Sequence, residues 1–324
     1  MATPTDLHSS PTAVATAPAL SIITTVYRSE QFLGTFIDET VQAISEAGII
    51  DYEIIFVNDG SPDNSGDLLL QARSSNPRIK IIDLSRNFGH HKAMLAGLSF
   101  ASGKLTFIID CDLEVRPGVL KRFWETQRAT SADVVYGVQE ERKGARVERI
   151  GGAIFWKLFN FLSDTAVPEN VLSERLMTRR YVKALISLGD RNVFLGGMMY
   201  WAGFQQIPIT VQKSVREGAS TYSFRKRFSL LLDAVISFST VPLKLVLFIG
   251  LGTTLLAVLS GLVLFIRKIL HPEAVLAGFT SIMLITIGMA GIVITVLGVI
   301  GLYIARIYIQ TQGRPLFIVR EYHD

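Results

Sequence analysis

Cysteine is almost missing from this chain: Cys111 is the only one in 324 residues. No intramolecular disulfide can form, so the part that carries it is expected to hold together by its core and to face a reducing compartment, the cytosol. The first 19 residues contain no lysine or arginine and no apolar run. A secretory signal needs both, so this Pro/Thr/Ala/Ser-rich stretch is expected to be a disordered tail. Charge is missing from two later stretches, Leu245 to Ile266 and Ala274 to Ala305. Each exceeds the about 20 apolar residues that cross a bilayer, so both are expected to span one. Hydrophobic residues make up 49% of the chain and the mean hydropathy is +0.37, with the excess lying after residue 240. The composition is that of a two-part molecule.

A formal charge of +4 and a pI near 9.1 raise the question of nucleic acid. The placement of the cations argues for an anionic membrane surface instead, and no nucleic-acid partner is expected. Arg225, Lys226, Arg227 and Lys244 precede the apolar pair, Arg267 and Lys268 lie in its link, and Arg306, Arg314 and Arg320 follow it. The positive-inside bias puts both ends on the cytoplasmic side with the tip of the hairpin outside. Just upstream, Phe224 to Phe238 sets Arg225, Ser229, Asp233 and Ser237 opposite Phe228, Leu231, Leu232 and Val235, the split of a helix lying in a membrane interface.

From Leu20 the chain alternates short apolar runs with helical patterns. Strands are expected at Leu20–Val26, Tyr52–Val57, Ile79–Leu84 and Lys104–Ile109, with helices ending near Glu46 and spanning about Asp67–Arg73 and His91–Ala101. Such alternation predicts a parallel sheet covered on both faces, with its ligand site at the carboxyl ends of the strands. Past Asp133-Val134-Val135-Tyr136 the alternation weakens into a charged loop, Gln139 to Arg149, and an aromatic helix with Phe155, Trp156, Phe159 and Phe161, expected to be acceptor-side structure.

Asn58-Asp59-Gly60-Ser61 and Asp110-Cys111-Asp112 each follow an apolar strand. In an extended segment Asp110 and Asp112 share one face, where two carboxylates can hold Mg²⁺ or Mn²⁺ against a diphosphate whose charge must be neutralised before it leaves. Asp-x-Asp alone also occurs in ordinary surface turns; the strand-end context is what makes it informative. Asp59 could accept from a uracil N–H or a ribose hydroxyl, with Gly60 allowing close backbone approach. Arg86, in Leu84-Ser85-Arg86-Asn87-Phe88-Gly89, is a candidate for the diphosphate. His90 and His91 diverge by about 100° on a helix and cannot easily share an ion, so they read as structural or solvent-facing.

These motifs, together with Arg175-Leu176-Met177 and Ser237-Phe238-Ser239 before Pro242-Leu243-Lys244, stand in the order seen in polyprenyl-phosphate glycosyltransferases. The chain resembles the bactoprenol glucosyltransferase and dolichol-phosphate mannose synthase group of glycosyltransferase family 2 over about Leu20 to Pro315. The resemblance implies an α/β fold: a GT-A (Rossmann-like) catalytic domain over 20–222, an interfacial amphipathic helix over 223–240, a two-helix transmembrane hairpin over 241–305 and a cytoplasmic tail over 306–324. It implies inverting transfer from a UDP- or GDP-sugar to a membrane polyprenyl phosphate, a Mg²⁺ or Mn²⁺ cofactor, in many members a homotetramer, and a place in the cytoplasmic (inner) membrane with the catalytic domain and both termini in the cytosol. Tyr27, Glu30, Asp59, Arg86, Lys92, Asp110 and Cys111 would bind the nucleotide sugar, Asp110 and Asp112 the metal, and Arg142, Arg146, Lys213, Arg216 and Ser220 the acceptor phosphate. Catalytic roles fall to Asp112, Glu174 and Ser173.

The chain departs from that pattern in several places. Ser173 stands where many relatives carry aspartate, Glu114 replaces a frequent glutamine, and Thr221 replaces the lysine of the acceptor loop, whose arginine lies one residue nearer its glycine. A processive polysaccharide synthase would need a Gln-x-x-Arg-Trp motif, and no Arg-Trp pair exists here. A non-catalytic nucleotide-binding scaffold is opposed by the intact Asp59, Asp110 and Asp112.

Overall fold

The computed structural model describes residues 17–139, 170–213, 241–270 and 279–324. The expected aromatic helix, the amphipathic helix over 223–240, the loop carrying Arg142 and Arg146, and the segment with Arg216 and Ser220 lie outside the described residues.

The first half is built as the alternation predicts. Strand β1 (Leu20–Val26), helix α1 (Glu30–Glu46), β2 (Tyr52–Asn58), α2 (Ser65–Ser75), β3 (Ile79–Leu84), α3 (His90–Phe100) and β4 (Leu105–Ile108) follow one another, and β1 pairs in parallel with both β2 and β4 while β2 pairs with β3. These strands are nearly continuous apolar runs because both faces are covered. Side-chain alternation sorts them: Ile22, Ile54, Phe56 and Phe107 join Leu33 and Phe36 on one face. Ile23, Ile55, Val57 and Ile108 join Met94, Tyr181 and Leu185 on the other. Each of the fully buried Phe36, Phe56 and Phe107 stabilises the fold by about 1.5–3 kcal/mol before chain entropy is counted. Helix α3 lies close against the sheet because Gly97 has no side chain; a Cβ there would sit 2.4 Å from Ile23 Cγ2.

After α4 (Leu120–Thr130) the pattern changes to β5 (Val134–Gln139), β6 (Val171–Thr178), α5 (Arg179–Ser187), α6 (Leu195–Trp201) and β7 (Gln206–Val211). Strand β6 runs antiparallel to both β4 and β5, and β7 is parallel to β5, which extends the sheet beyond β4. Two long helices come next, α7 (Val241–Leu270) and α8 (Phe279–Thr311). At 30 and 33 residues they are about 45 and 50 Å long, against a hydrocarbon core of about 30 Å. Within α8, Met289–Thr311 is long and apolar enough to cross a membrane, and none of it is buried inside the protein.

The stretch expected to be a tail continues α8 to Thr311 and then returns to the sheet as β8 (Val319–His323), antiparallel to β3. The eight strands lie in the order β7-β5-β6-β4-β1-β2-β3-β8. Strand β8 is short and polar, with an exposed middle, so it carried none of the apolar signal by which a strand is recognised in sequence.

Candidate active site

The carboxyl ends of β1, β2, β3 and β4 meet at one edge of the sheet. Two loops there are bound into a unit by Asp59. Its Oδ1 accepts from Phe88 N at 2.7 Å and its Oδ2 from Gly89 N at 2.9 Å. The residue is 2% exposed, and burial raises its pKa against the pull of those two amides. In this structure Asp59 therefore ties the 58–61 turn to the Arg86–Gly89 loop. Gly60 explains why the loops can close: its φ is +64°, and a Cβ would lie 2.7 Å from both Arg86 C and Asn87 N. The Arg86 guanidinium lies 4.1 Å over the Phe88 ring and donates to Asn87 O at 3.0 Å. Lys92 follows in the first turn of α3.

On β1's side, Arg28 holds φ +54° and its N–H donates to Ser61 Oγ at 2.7 Å. Tyr27 is 44% exposed beside it. Glu30, at the start of α1, accepts from Asn64 N at 3.3 Å, so it ties this loop to the next.

The Asp110-Cys111-Asp112 segment alternates as an extended chain must. Cys111 turns inward: it is 4% exposed, its thiol donates to Thr25 O at 3.2 Å, and burial pushes its pKa up to about 11. Expected among the donor-binding residues, its side chain packs the core instead. Asp110 and Asp112 turn outward. Asp110 Oδ2 accepts from Ser173 Oγ at 2.8 Å, while its Oδ1 is buried with no hydrogen-bond partner. Asp112 Oδ1 accepts from Glu114 N at 3.1 Å, Leu113 is strained at φ +59°, and burial raises the Asp112 pKa, with Glu114 and Asp110 adding to the effect. Among the described residues no group of three or more His, Cys, Asp or Glu side chains forms a ready-made metal cage. Two outward carboxylates, one with an orphaned oxygen, fit a hard cation that takes its remaining ligands from phosphate and water.

Strand β6 supplies both of its expected residues, on opposite faces. Ser173 reaches Asp110 from one side. Glu174 lies on the other, 3% exposed with Oε2 unpartnered. Burial first, and then the charge of Asp110, raises its pKa to about 8. Lys213 is ion-paired with Glu114. Burial lowers the Lys213 pKa, but the Glu114 contact outweighs it and the net shift is upward. Arg175, 1% exposed, lies between the rings of Tyr136 and Tyr200 at 5.4 and 5.2 Å.

His90 is the site residue that sequence reasoning passed over. Its Nδ1 shares a hydrogen bond with Thr25 Oγ1 at 2.9 Å and its Nε2 lies 3.7 Å from Asp110 Oδ1. His91 points elsewhere, to Val193 O at 3.3 Å. The available signal was position: the first turn of a helix that follows a strand end faces the neighbouring strand ends.

Residues 21–185 match the Glycosyl transferase family 2 sequence family. A bactoprenol glucosyl transferase derived from prophage SfII in Shigella flexneri is 32% identical over 94% of this chain and 98% of its own. The glycosyltransferase YkcC of Bacillus subtilis is 35% identical over 93% of each. The chain belongs to glycosyltransferase family 2. Among solved structures, this transferase is similar to the mannosyltransferase PcManGT of Pyrobaculum calidifontis in complex with GDP-Man and Mn2+, at 14% identity and a TM-score of 0.47 over 69% of this chain and 64% of that one. In the transferase, then, the strand-end carboxylates and the two bound loops form the candidate active site. Of the expected site residues, Tyr27, Glu30, Asp59, Arg86, Lys92, Asp110, Asp112, Ser173, Glu174 and Lys213 stand on the elements that border it.

Proposed function

We propose that this glycosyltransferase moves a sugar with inversion from a nucleotide sugar, UDP-linked rather than GDP-linked, to a polyprenyl phosphate held in the cytoplasmic membrane. The observation that carries the reading is the Asp110/Asp112 pair, set beside the joined 58–61 and 86–89 loops in a domain that continues into two long helices. The likeness to bactoprenol glucosyl transferases along nearly the whole chain supports the lipid acceptor. Helices α7 and α8 would then be the two spans of a multi-pass protein with both ends in the cytosol, keeping the site at head-group height.

Asp110 and Asp112 would hold Mg²⁺ or Mn²⁺, which supplies Lewis-acid neutralisation of the departing diphosphate. The protein's own residues do the rest by placement. Arg86 and Lys92 flank the path of the diphosphate. Ser173 fixes the rotamer of Asp110, whose other oxygen is left without a hydrogen-bond partner, 3.7 Å from His90 Nε2. A phosphate acceptor is already anionic near neutral pH, so alignment and screening replace a strong general base. Lys213 is the described member of the acceptor-phosphate set proposed for this, whose other members are the cations Arg142, Arg146 and Arg216 and the hydroxyl of Ser220.

Membranes containing the protein, supplied with Mg²⁺ or Mn²⁺, undecaprenyl phosphate and labelled nucleotide sugars, should yield an organic-extractable, acid-labile labelled lipid. No such lipid from any UDP- or GDP-sugar would overturn the reading. Ser173→Ala should reduce transfer about tenfold, the loss of one hydrogen bond to a charged group, and shift the Mg²⁺ titration to higher concentration. A wild-type Mg²⁺ curve would remove Ser173 from the metal site.

A further inference from the structure

Arg320 lies on β8, beyond both long helices, yet its contacts run back to the donor loops. Its Nε donates to Asp83 Oδ2 at 2.9 Å, and its NH2 group pairs with the same oxygen. The other Asp83 oxygen accepts from Asn58 Nδ2 at 2.8 Å. That contact sets the Asn58 amide so that its Oδ1 accepts from Ser61 N at 3.0 Å. Ser61 Oγ in turn accepts from Arg28 N at 2.7 Å. One polar relay therefore crosses the carboxyl edge of the sheet from β8 through β3 and β2 to the loop after β1.

Local geometry explains how Arg320 reaches Asp83. Asp83 pairs with Glu321 and Leu84 with Val319, so the register shifts and Arg320 is the unpaired bulge residue between them. A bulge re-aims the side chain it carries. The strand itself is firmly seated: Ser85 N donates to Ile318 O at 2.9 Å, Lys80 pairs with Asp324, and the Phe100 and Tyr322 rings lie 4.9 Å apart. Upstream, Gln310 at the end of α8 accepts from Arg191 N at 2.9 Å and donates to Gly189 O at 3.2 Å. The base of the apolar helix and the donor loops are thus joined through one short segment.

We propose that Arg320 is a positioning residue for the nucleotide donor: through Asp83 and Asn58 it holds the Gly60–Ser61 turn in its binding shape. The proposal rests on the donor-binding reading above. Asp83 has a side chain only 14% exposed, so without Arg320 its charge loses its cationic partner and the Asn58 amide loses its fixed orientation. Sugar transfer itself involves none of these groups, so the effect falls on donor affinity.

The test uses the full-length protein in detergent or nanodiscs, with the nucleotide sugar that wild type transfers. Arg320→Ala should raise the donor KM about fivefold to tenfold, up to about 1.4 kcal/mol. It should leave kcat and the lipid-acceptor KM within about twofold, as expected for lost binding that is uniform along the reaction. Thermal unfolding monitors folding, since the Arg320 side chain is 60% exposed. In an Asp83→Asn background, adding Arg320→Ala should change the donor KM less than about twofold, because contacting residues do not act additively. A wild-type donor KM in Arg320→Ala, or an equal fall in kcat, would overturn the proposal, and additive effects in the double variant would overturn the route through Asp83. Failure of wild type to transfer from any nucleotide sugar would instead overturn the functional reading on which this one stands.

Discussion

Asp112→Asn should lower kcat for sugar transfer by about 100-fold to 1000-fold, the usual cost of removing one group that stabilises developing charge. The change is nearly isosteric. An asparagine oxygen can still accept from Glu114 N, as Asp112 Oδ1 does at 3.1 Å, so the turn after β4 should survive. What is lost is half of the paired negative charge at the strand end. Burial already raises the Asp112 pKa, so removing its charge should not destabilise the fold. Radiolabel transfer and thermal unfolding measured together decide the matter: full turnover with a folded protein would remove Asp112 from the chemistry.

Gly60→Ala should have the largest effect on the fold of the site. The position combines φ +64° with backbone atoms of Arg86 and Asn87 at 2.7 Å from a new Cβ. Backbone cannot swing aside as a side-chain tip can. Left-handed strain and the clash together should cost about 3 kcal/mol, which corresponds to a fall in Tm of about 6–12 °C for a domain of this size. The donor KM should rise more than about tenfold, since the loops separate. Gly34→Ala is the control: nothing lies within 4 Å of its Cβ and it sits inside α1. It should be neutral or slightly stabilising, because alanine restricts the unfolded chain more than glycine does. Equal Tm values for the two variants would refute the close-approach argument.

The doubly covered half of the sheet was legible from sequence because strands buried on both faces are written as unbroken apolar runs, as in Ile54-Ile55-Phe56-Val57. The outward placement of Asp110 and Asp112 followed from period-two alternation, and the same rule should have turned Cys111 inward. What could not be read was partnership. Nothing local in Ser173 says that it meets Asp110, 63 positions away. Nothing in Asp59 says that two amides near residue 88 occupy its oxygens. The sequence neighbour of His90 is His91, whereas its partners in space are Thr25 and Asp110. Strand β8 carries little apolar signal because it is a polar edge strand whose three central residues, Arg320, Glu321 and Tyr322, are all exposed.

That last strand also orders the protein's own synthesis. Edge β3 stays open while α7 and α8 are being made, because the segment that covers it lies beyond both. At synthesis rates of about 5–20 residues per second, the nascent domain waits on the order of ten seconds or more with an unpaired edge beside the 58–61 and 86–89 loops. The sheet takes on its last described strand only after both long helices have been synthesised.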